Sequence, residues 1–169
     1  CDMKHRPMTI DVYAAHNVIA TEGVMKGEQI SFADELVMDD VFQIQARSPF
    51  HALELVAQSD GLYRADASRN AVHLDCCLTL MAPNGGTYEA LILVEVQDEA
   101  VAEIFLLPLG ELLPLVEYRL VGVARHTATK RFAEAASGSF ARGTQITMSD
   151  GAMRRIETLQ AGEMVLTRD

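Results

Sequence analysis

Alternating apolar and polar residues form the most regular pattern in the chain. Between Val72 and Leu80 every second residue is apolar, and a similar run extends over residues 87–96, while residues 101–107 form a more continuous apolar run. A period of two is typical of β-strands, whose successive side chains point to opposite faces of a sheet. Because short segments separate the three runs, the pattern predicts a three-stranded antiparallel meander.

The first two strands of this meander are connected by Pro83-Asn84-Gly85-Gly86. Asn and Gly adopt positive φ at little cost, which tight hairpin turns require. Asn84 and Gly85 are therefore predicted to be the structural residues of the turn.

Further short strands are predicted before the meander, at residues 9–15, 36–46, 51–57 and 61–65. Several short strands separated by Gly and Pro at roughly 8–12-residue spacing are typical of sandwiches and barrels. The predicted fold class is all-β: an antiparallel, Greek-key-like β-sandwich over residues 8–124.

A segment after the meander resembles the tyrosine corner of Greek-key sandwiches, especially the fibronectin type III pattern. Leu112, Pro114 and Tyr118 stand at positions i, i+2 and i+6. In that corner a Tyr at the start of a strand bonds through its hydroxyl to backbone just upstream. The alternative is an ordinary Tyr after a proline turn. Under either interpretation the three residues are structural, and Tyr118 opens a strand that runs to Ala124.

Residues 126–136 carry a helical pattern, with Ala128, Phe132 and Ala135 at helical spacing and Gly138 as a stop. This pattern predicts a short helical connector over residues 125–138.

Composition narrows the class of protein. Of the 169 residues, 49% are hydrophobic, which is enough for a core, and the net charge is −10 without a cluster of Lys and Arg. Nucleic-acid binding needs such a cluster, so nucleic acid is not an expected partner. No apolar run approaches the ~20 residues of a membrane helix, so no membrane span is predicted.

The first seven residues are predicted to be a flexible leader or a tag remnant. They lack the apolar stretch of a signal peptide. This favours cytoplasmic synthesis and leaves a non-Sec route of secretion open to a longer parent protein.

Cysteine, histidine and acidic residues provide little further chemistry. Cys76 and Cys77 are adjacent on a predicted strand, so one thiol is expected in the core and the other outside it. His73 and Asp75 lie two positions apart on that strand, and a small-molecule hydrolase using His73 is one hypothesis. The acidic residues at 34–35 and 39–40 are interpreted as a solvated strand edge, because calcium loops need alternating oxygen ligands. No metal site and no cofactor is predicted.

The last part of the chain has a different pattern. It begins Ser139-Phe140-Ala141-Arg142-Gly143-Thr144-Gln145-Ile146 and continues after a turn with Ile156-Glu157, Leu159, Gly162 and Val165-Leu166-Thr167. These residues resemble the first block of Hint (Hedgehog/intein-type) domains of a bacterial type. The resemblance covers residues 139–169, so this stretch is interpreted as the N-terminal β fragment of a Hint domain.

The resemblance implies nucleophilic self-processing. Ser139 stands where Hint domains have their nucleophile, usually Cys, which attacks the carbonyl of the preceding residue, here Gly138. It also implies a later Thr-x-x-His element and a His-Asn end, neither of which occurs in these 169 residues. Autoproteolysis at Gly138–Ser139 is therefore expected of a full-length parent rather than of this chain.

Two functional hypotheses follow from this organisation. In the first, residues 8–124 are a non-catalytic interaction domain that recognises an unknown protein or surface and precedes the Hint domain. In the second, the parent cleaves itself and the β domain is its cargo. Unpaired Hint strands could also join two copies into a homo-oligomer.

Overall fold

A computed structural model of the protein describes residues 7–136 and 146–148. The elements in chain order are β1 (Pro7–Ala14), β2 (Val18–Glu22), β3 (Val41–Ile44), β4 (His51–Gln58), β5 (Gly61–Arg64), β6 (Ala71–Met81), β7 (Thr87–Gln97), β8 (Ala100–Pro108), β9 (Glu117–Ala124), α1 (Ala128–Ala136) and β10 (Ile146–Met148). The pairings between these strands are antiparallel. The predicted all-β class is therefore confirmed.

The central meander is formed by β6, β7 and β8, in the order that the alternation predicts. Two details in the first part of the chain differ from the prediction. Only Val41–Ile44 of the run at residues 36–46 forms a strand, and Ala33–Glu35 forms a short 3-10 turn before it. In addition, the sequence pattern does not predict β2, which follows β1 after the 3-10 turn Ala15–Asn17.

The strands belong to one sheet that closes on itself, instead of two separate sheets. β1, β4, β5, β6, β7 and β8 pair in a ring, since β8 pairs with β7 on one edge and with Tyr13 and Ala14 of β1 on the other. A branch leaves this ring at β6, where β9, β3 and β2 follow one another. We call the ring the closed half and the branch the open half.

Two apolar clusters occupy the two faces of the meander. The cluster inside the closed half includes Ile10, Leu55, Leu93 and Phe105, all buried. The other cluster lies between the meander and the open half. The meander is thus covered on both sides, which gives sandwich-like packing within a single sheet.

A bulge at Asp75 divides β6 between the two clusters. The register shifts between Leu74 and Cys76, so Val72 and Leu74 face the closed half while Cys76 and Leu78 face the open half. The sequence pattern places these residues on one face of one strand, and this is wrong. The bulge also marks the point where the partner of β6 on its outer edge changes from β5 to β9.

Helix α1 closes the core of the ring. Phe132 is fully buried in the cluster of the closed half, and Ala128 and Ala135 pack beside it. Arg131 forms an ion pair with Glu89 of β7. The segment expected to be a connector therefore contributes to the core of the β domain.

The hydroxyl of Tyr118 accepts a hydrogen bond from the backbone N–H of Leu113 at 2.9 Å. Its ring is buried in the cluster of the open half together with Leu112, while Pro114 is exposed between them. This is the backbone contact that the resemblance to a tyrosine corner leads one to expect. It fixes the loop between β8 and β9.

In the turn between β6 and β7, Gly85 has a φ of +92° and its N–H donates to the carbonyl of Ala82 at 2.9 Å. The side-chain oxygen of Asn84 accepts from the N–H of Gly86 at 2.8 Å. Asn84 and Gly85 thus form the turn that the sequence predicts. Among the helices described, none is long and apolar enough to cross a membrane.

Candidate functional site

A groove of about 260 Å³ opens where the open half fails to reach β8. Its floor is formed by Phe42 of β3 and Ile104 of β8, both buried. Phe32 and Leu36 line it from the segment between β2 and β3, and Val101 at its rim is 48% exposed. The groove is therefore an apolar cleft that is connected to the core.

A second bulge turns the rim residue of β8 into this groove. Glu95 of β7 pairs with Glu103 and Val96 pairs with Val101, so Ala102 is the extra residue. Without the bulge, Val101 and Ile104 would point to opposite faces, because they are three positions apart. With it, both side chains line the same cleft.

The first wall of the groove is the loop after β2, and a buried carboxylate holds it. Asp40 accepts hydrogen bonds from the N–H groups of Val24 and Met25 at 2.8 and 3.0 Å. Gly23 has a φ of +110°, and a Cβ there would lie 2.0 Å from Asp40 Oδ1. The sequence pattern predicts that Asp40 belongs to a solvated edge. This is wrong, since Asp40 is 1% exposed.

The second wall is the 3-10 turn Ala33–Glu35. The N–H of Ala33 donates to Asp75 Oδ2 at 2.8 Å, and Asp34 pairs with Arg125 at 2.5 Å. Ser31 donates to Glu35 Oε1 at 2.6 Å. The bulged Asp75 of β6 thus helps to fix a wall that is distant in sequence.

The groove has a negative rim. Its lining residues include the exposed carboxylates of Glu28 and Glu35 and no Lys, Arg or His. Carboxylates beside an apolar floor favour a ligand that combines a cationic group with apolar neighbours. The charge of −10 on the whole chain has the same sign.

The strand beside the groove has an open edge. Among the described residues no strand pairs with the outer edge of β8 at residues 100–104. The bulge at Ala102 and the exposed Glu103 lie on this stretch, and both are common devices that prevent strand addition. The groove is thus suited to recognise side chains rather than a paired backbone.

A second cavity of about 270 Å³ is lined by residues of β2, β3 and β9 and by the start of the turn after β6. Its lining residues Glu22, Glu117 and Arg119 carry charges of both signs, and Arg119 donates to the backbone oxygen of Asp39 at 3.0 Å. This cavity shows no preference for one sign of charge, so the acidic groove is the stronger candidate.

Of the residues that the sequence singled out, Gly138 and Ser139 lie outside the described residues. Leu112, Pro114 and Tyr118 form the corner before β9, and Asn84 and Gly85 form the turn before β7. These five described residues do not line the groove.

The two adjacent thiols are both buried, which corrects the prediction of one inner and one outer thiol. Cys76 is 0% and Cys77 4% exposed, because each face of the meander is covered by a half of the molecule. Burial raises the pKa of Cys76, and the neighbouring Asp75 adds to this effect. Burial also raises the pKa of Cys77, against the opposing influence of Arg131. Neither thiol is activated as a nucleophile.

The suggested pairing of His73 with Asp75 is not formed. His73 is exposed, whereas the bulge directs Asp75 to the N–H of Ala33. No group of three His, Cys, Asp or Glu side chains among the described residues is placed to hold a metal ion.

The groove itself was missed by reasoning from the sequence. In the sequence, Glu35 is only a member of an acidic pair, and Glu28 and Val101 carry no motif. The signal that could have located the groove is the spacing of Val101 and Ile104, because apolar residues three apart on one strand share a face only across a bulge. Comparisons of the chain with protein-family models, with curated proteins and with solved structures find no match.

Proposed function

We propose that residues 7–136 form a non-catalytic interaction module that precedes a Hint-type autoprocessing domain. The acidic groove is its binding site, and its ligand is a protein segment with one or two basic residues next to apolar ones. The observation that carries this proposal is the apolar floor of Phe42 and Ile104 beneath the carboxylates of Glu28 and Glu35.

The form of the groove supports binding rather than catalysis. Both walls are fixed by hydrogen bonds to carboxylates that do not line the groove. Asp40 holds one wall and Asp75 holds the other. A preformed cleft avoids the cost of ordering on binding. Its volume of about 260 Å³ accommodates a few side chains, not a folded surface.

A titration with two peptides of opposite charge tests the proposal. The probes are a capped hexapeptide that alternates Lys and Leu and its counterpart that alternates Glu and Leu. Backbone amide shifts in the NMR spectrum should change at residues 25–36 and 101–104 with the Lys peptide alone. Because rim charges are screened, raising the salt from 50 to 500 mM should weaken the binding at least threefold.

Substitutions in the groove distinguish site binding from general attraction to an acidic protein. Glu28→Gln combined with Glu35→Gln should weaken binding about tenfold, and Val101→Ser about threefold. Glu54→Gln on β4 and Val24→Ser are the matched controls, since both residues are exposed and neither lines the groove. Equal losses with Glu54→Gln, or equal binding of the Glu peptide, would refute a groove ligand.

A second function, self-cleavage at Gly138–Ser139 in a longer parent, is also proposed. It rests on the resemblance at residues 139–169. In the sequence this bond lies between α1, which contacts the β domain through Phe132, and β10, which pairs with β1. A chain extended by a full Hint domain should be cleaved at this bond over time, which is detected as a decrease in the mass of the chain. Ser139→Ala should prevent the cleavage. If the extended chain stays intact, self-cleavage is refuted and only the interaction module remains as the proposed function.

A further inference from the structure

The edge of β1 is divided between two partners. β8 pairs with Tyr13 and Ala14, whereas β10 pairs with Met8, Thr9 and Ile10. The division occurs because β8 ends at Pro108. The N–H of the next residue, Leu109, donates to the backbone oxygen of Glu89 in β7 at 2.9 Å. The chain thus follows β7 and leaves the first part of β1 without β8 beside it.

This part of β1 is a preformed strand edge. Met8, Ile10 and Val12 are fully buried in the closed half, and β4 pairs along the opposite edge from Pro7 to Val12. The strand is therefore held in place by its core side chains and by one neighbour. An extended segment can add to such an edge through its backbone alone.

The edges of β8 and β1 differ in protection. The outer edge of β8 carries a bulge and Glu103, whereas residues 8–10 of β1 pair in regular register with Ile146–Met148. Regular register allows a continuous ladder of hydrogen bonds, which a bulge interrupts. The β1 edge is thus the one that accepts a strand.

We propose that the β1 edge at residues 8–10 is a strand-acceptor site, that β10 occupies it as a tethered strand, and that breaking the chain within residues 137–145 frees it. The acceptor site requires only the pairing, while its use as a switch rests on the proposed cleavage at Gly138–Ser139.

The short pairing explains why the tether matters. Three residue pairs supply only a few hydrogen bonds, which corresponds to a dissociation constant of about 1 mM or weaker between separate molecules. A short linker raises the local concentration of its segment to the millimolar range, so β10 is bound when the chain is intact. At micromolar concentration the same strand dissociates once the linker is cut. The same argument disfavours a homo-oligomer through this strand.

Cross-linking tests the pairing in the intact chain. Thr9→Cys with Thr147→Cys, in a background with Cys1→Ser, places thiols on residues that oppose each other in the register of the two strands. Directly opposed residues of antiparallel strands are near enough for a disulfide. Mild oxidation should give an intramolecular cross-link visible as faster migration on a non-reducing gel. Asp11→Cys with Thr147→Cys is the control, displaced by two residues, and should react at least tenfold more slowly. Equal rates, or cross-linked dimers alone, would overturn the assignment to the same chain.

Hydrogen exchange tests the release. A recognition sequence for a specific protease is inserted within residues 137–145, and exchange at residues 8–10 is compared before and after cutting at 10 μM protein. The amides that face β10 should exchange at least tenfold faster after the cut. Adding 5 mM of a peptide of residues 143–150 should restore their protection.

Amides of the β6–β7 pairs serve as the internal control and should not change. Protection that survives the cut without peptide would overturn the tethered-strand proposal. Because an added protease makes the cut, this result is independent of whether any parent protein cleaves itself.

Discussion

The two halves of the molecule use the same meander in different ways. In the closed half, the ring is completed by pairing of β8 with β1, and α1 covers its core with Phe132. In the open half, β9, β3 and β2 extend from β6 and do not reach β8. The groove lies in the resulting gap. The comparison shows that an apolar face becomes a core or a cleft according to whether the strands over it close.

Each half also contains one buried carboxylate, and the two are stabilised differently. Glu95 in the closed half pairs with Arg64 at 2.8 Å and accepts from Asn70 at 2.7 Å. Asp40 in the open half accepts from two backbone N–H groups. A side-chain pair stabilises strands that are already joined by backbone pairing. A carboxylate that binds backbone instead orders a loop, which the open half needs because a loop forms its wall.

The largest effect is expected from removing the residue that covers the closed half. Phe132→Ala should lower the free energy of unfolding by about 3–5 kcal/mol, since it leaves a cavity in a fully buried site. Urea denaturation measures this loss. Thr129→Ala, exposed on the same helix, is the control and should change stability by less than about 0.5 kcal/mol. A small effect of Phe132→Ala would mean that α1 is only a connector.

The wall of the open half can be tested separately through Asp40→Asn. The amide oxygen can still accept one of the two backbone hydrogen bonds, but the NH₂ group cannot accept the other. We expect a loss of about 2–3 kcal/mol, because one buried donor remains unpaired and a charged acceptor is lost. Asp39→Asn is the control, since Asp39 is exposed and Asn tolerates its positive φ of 74°.

Hydrogen exchange should locate the effect of Asp40→Asn. Residues 23–28 should exchange faster, whereas β4 and β5 in the closed half should be protected as before. Faster exchange throughout both halves would show that the two halves unfold as one unit and that the groove wall has no separate stability.

Much of the fold followed from local pattern, and the site did not. The alternation over residues 72–96 and the apolar run that follows it predict the meander, because strand periodicity and turn chemistry are local properties. The bulges at Asp75 and Ala102 cannot be predicted this way, since a bulge depends on the neighbouring strand. The error at Cys76 and Cys77 has the same origin, because the burial of both thiols requires two covering layers that are distant in sequence.

The two thiols predict a loss of stability at alkaline pH. The pKa of each is raised by burial in the folded protein, while in the unfolded chain it is about 8.5. The folded state therefore holds more protons above pH 8.5, so the stability contributed by the neutral thiols is complete below that pH and falls as the pH rises. Where the unfolded thiol is ionised and the folded one still holds its proton, the slope reaches about 1.4 kcal/mol per pH unit for each thiol.

Cys76 is buried in the open half and Cys77 in the closed half, so single substitutions separate their contributions to the pH dependence. Cys76→Ala should remove the contribution of the thiol in the open half, and Cys77→Ala that of the thiol in the closed half. The free energy of unfolding of each variant is measured by urea denaturation between pH 7.5 and 10. A slope that neither substitution changes would assign the alkaline loss to other groups. The buried hydroxyl of Tyr118, whose pKa burial also raises, contributes only near pH 10 and above, where the tyrosine of an unfolded chain ionises.

The smallest effect is expected at the loop that joins the halves. Leu115 has a φ of +67° although it is not glycine, and its side chain is 58% exposed. Its N–H donates to Ile44 at 2.8 Å and its carbonyl accepts from Gln43 at 3.1 Å, so contacts with β3 impose the strained backbone. Leu115→Gly should relieve about 1–2 kcal/mol of strain and lose part of it to the greater freedom of the unfolded chain, for a net gain of about 0.5–1 kcal/mol. Leu113→Gly, where φ is not positive, should instead destabilise the protein by about 0.5–1 kcal/mol. If both substitutions destabilise it equally, then the backbone at Leu115 is not strained, and the open half does not store energy where it meets the corner of Tyr118.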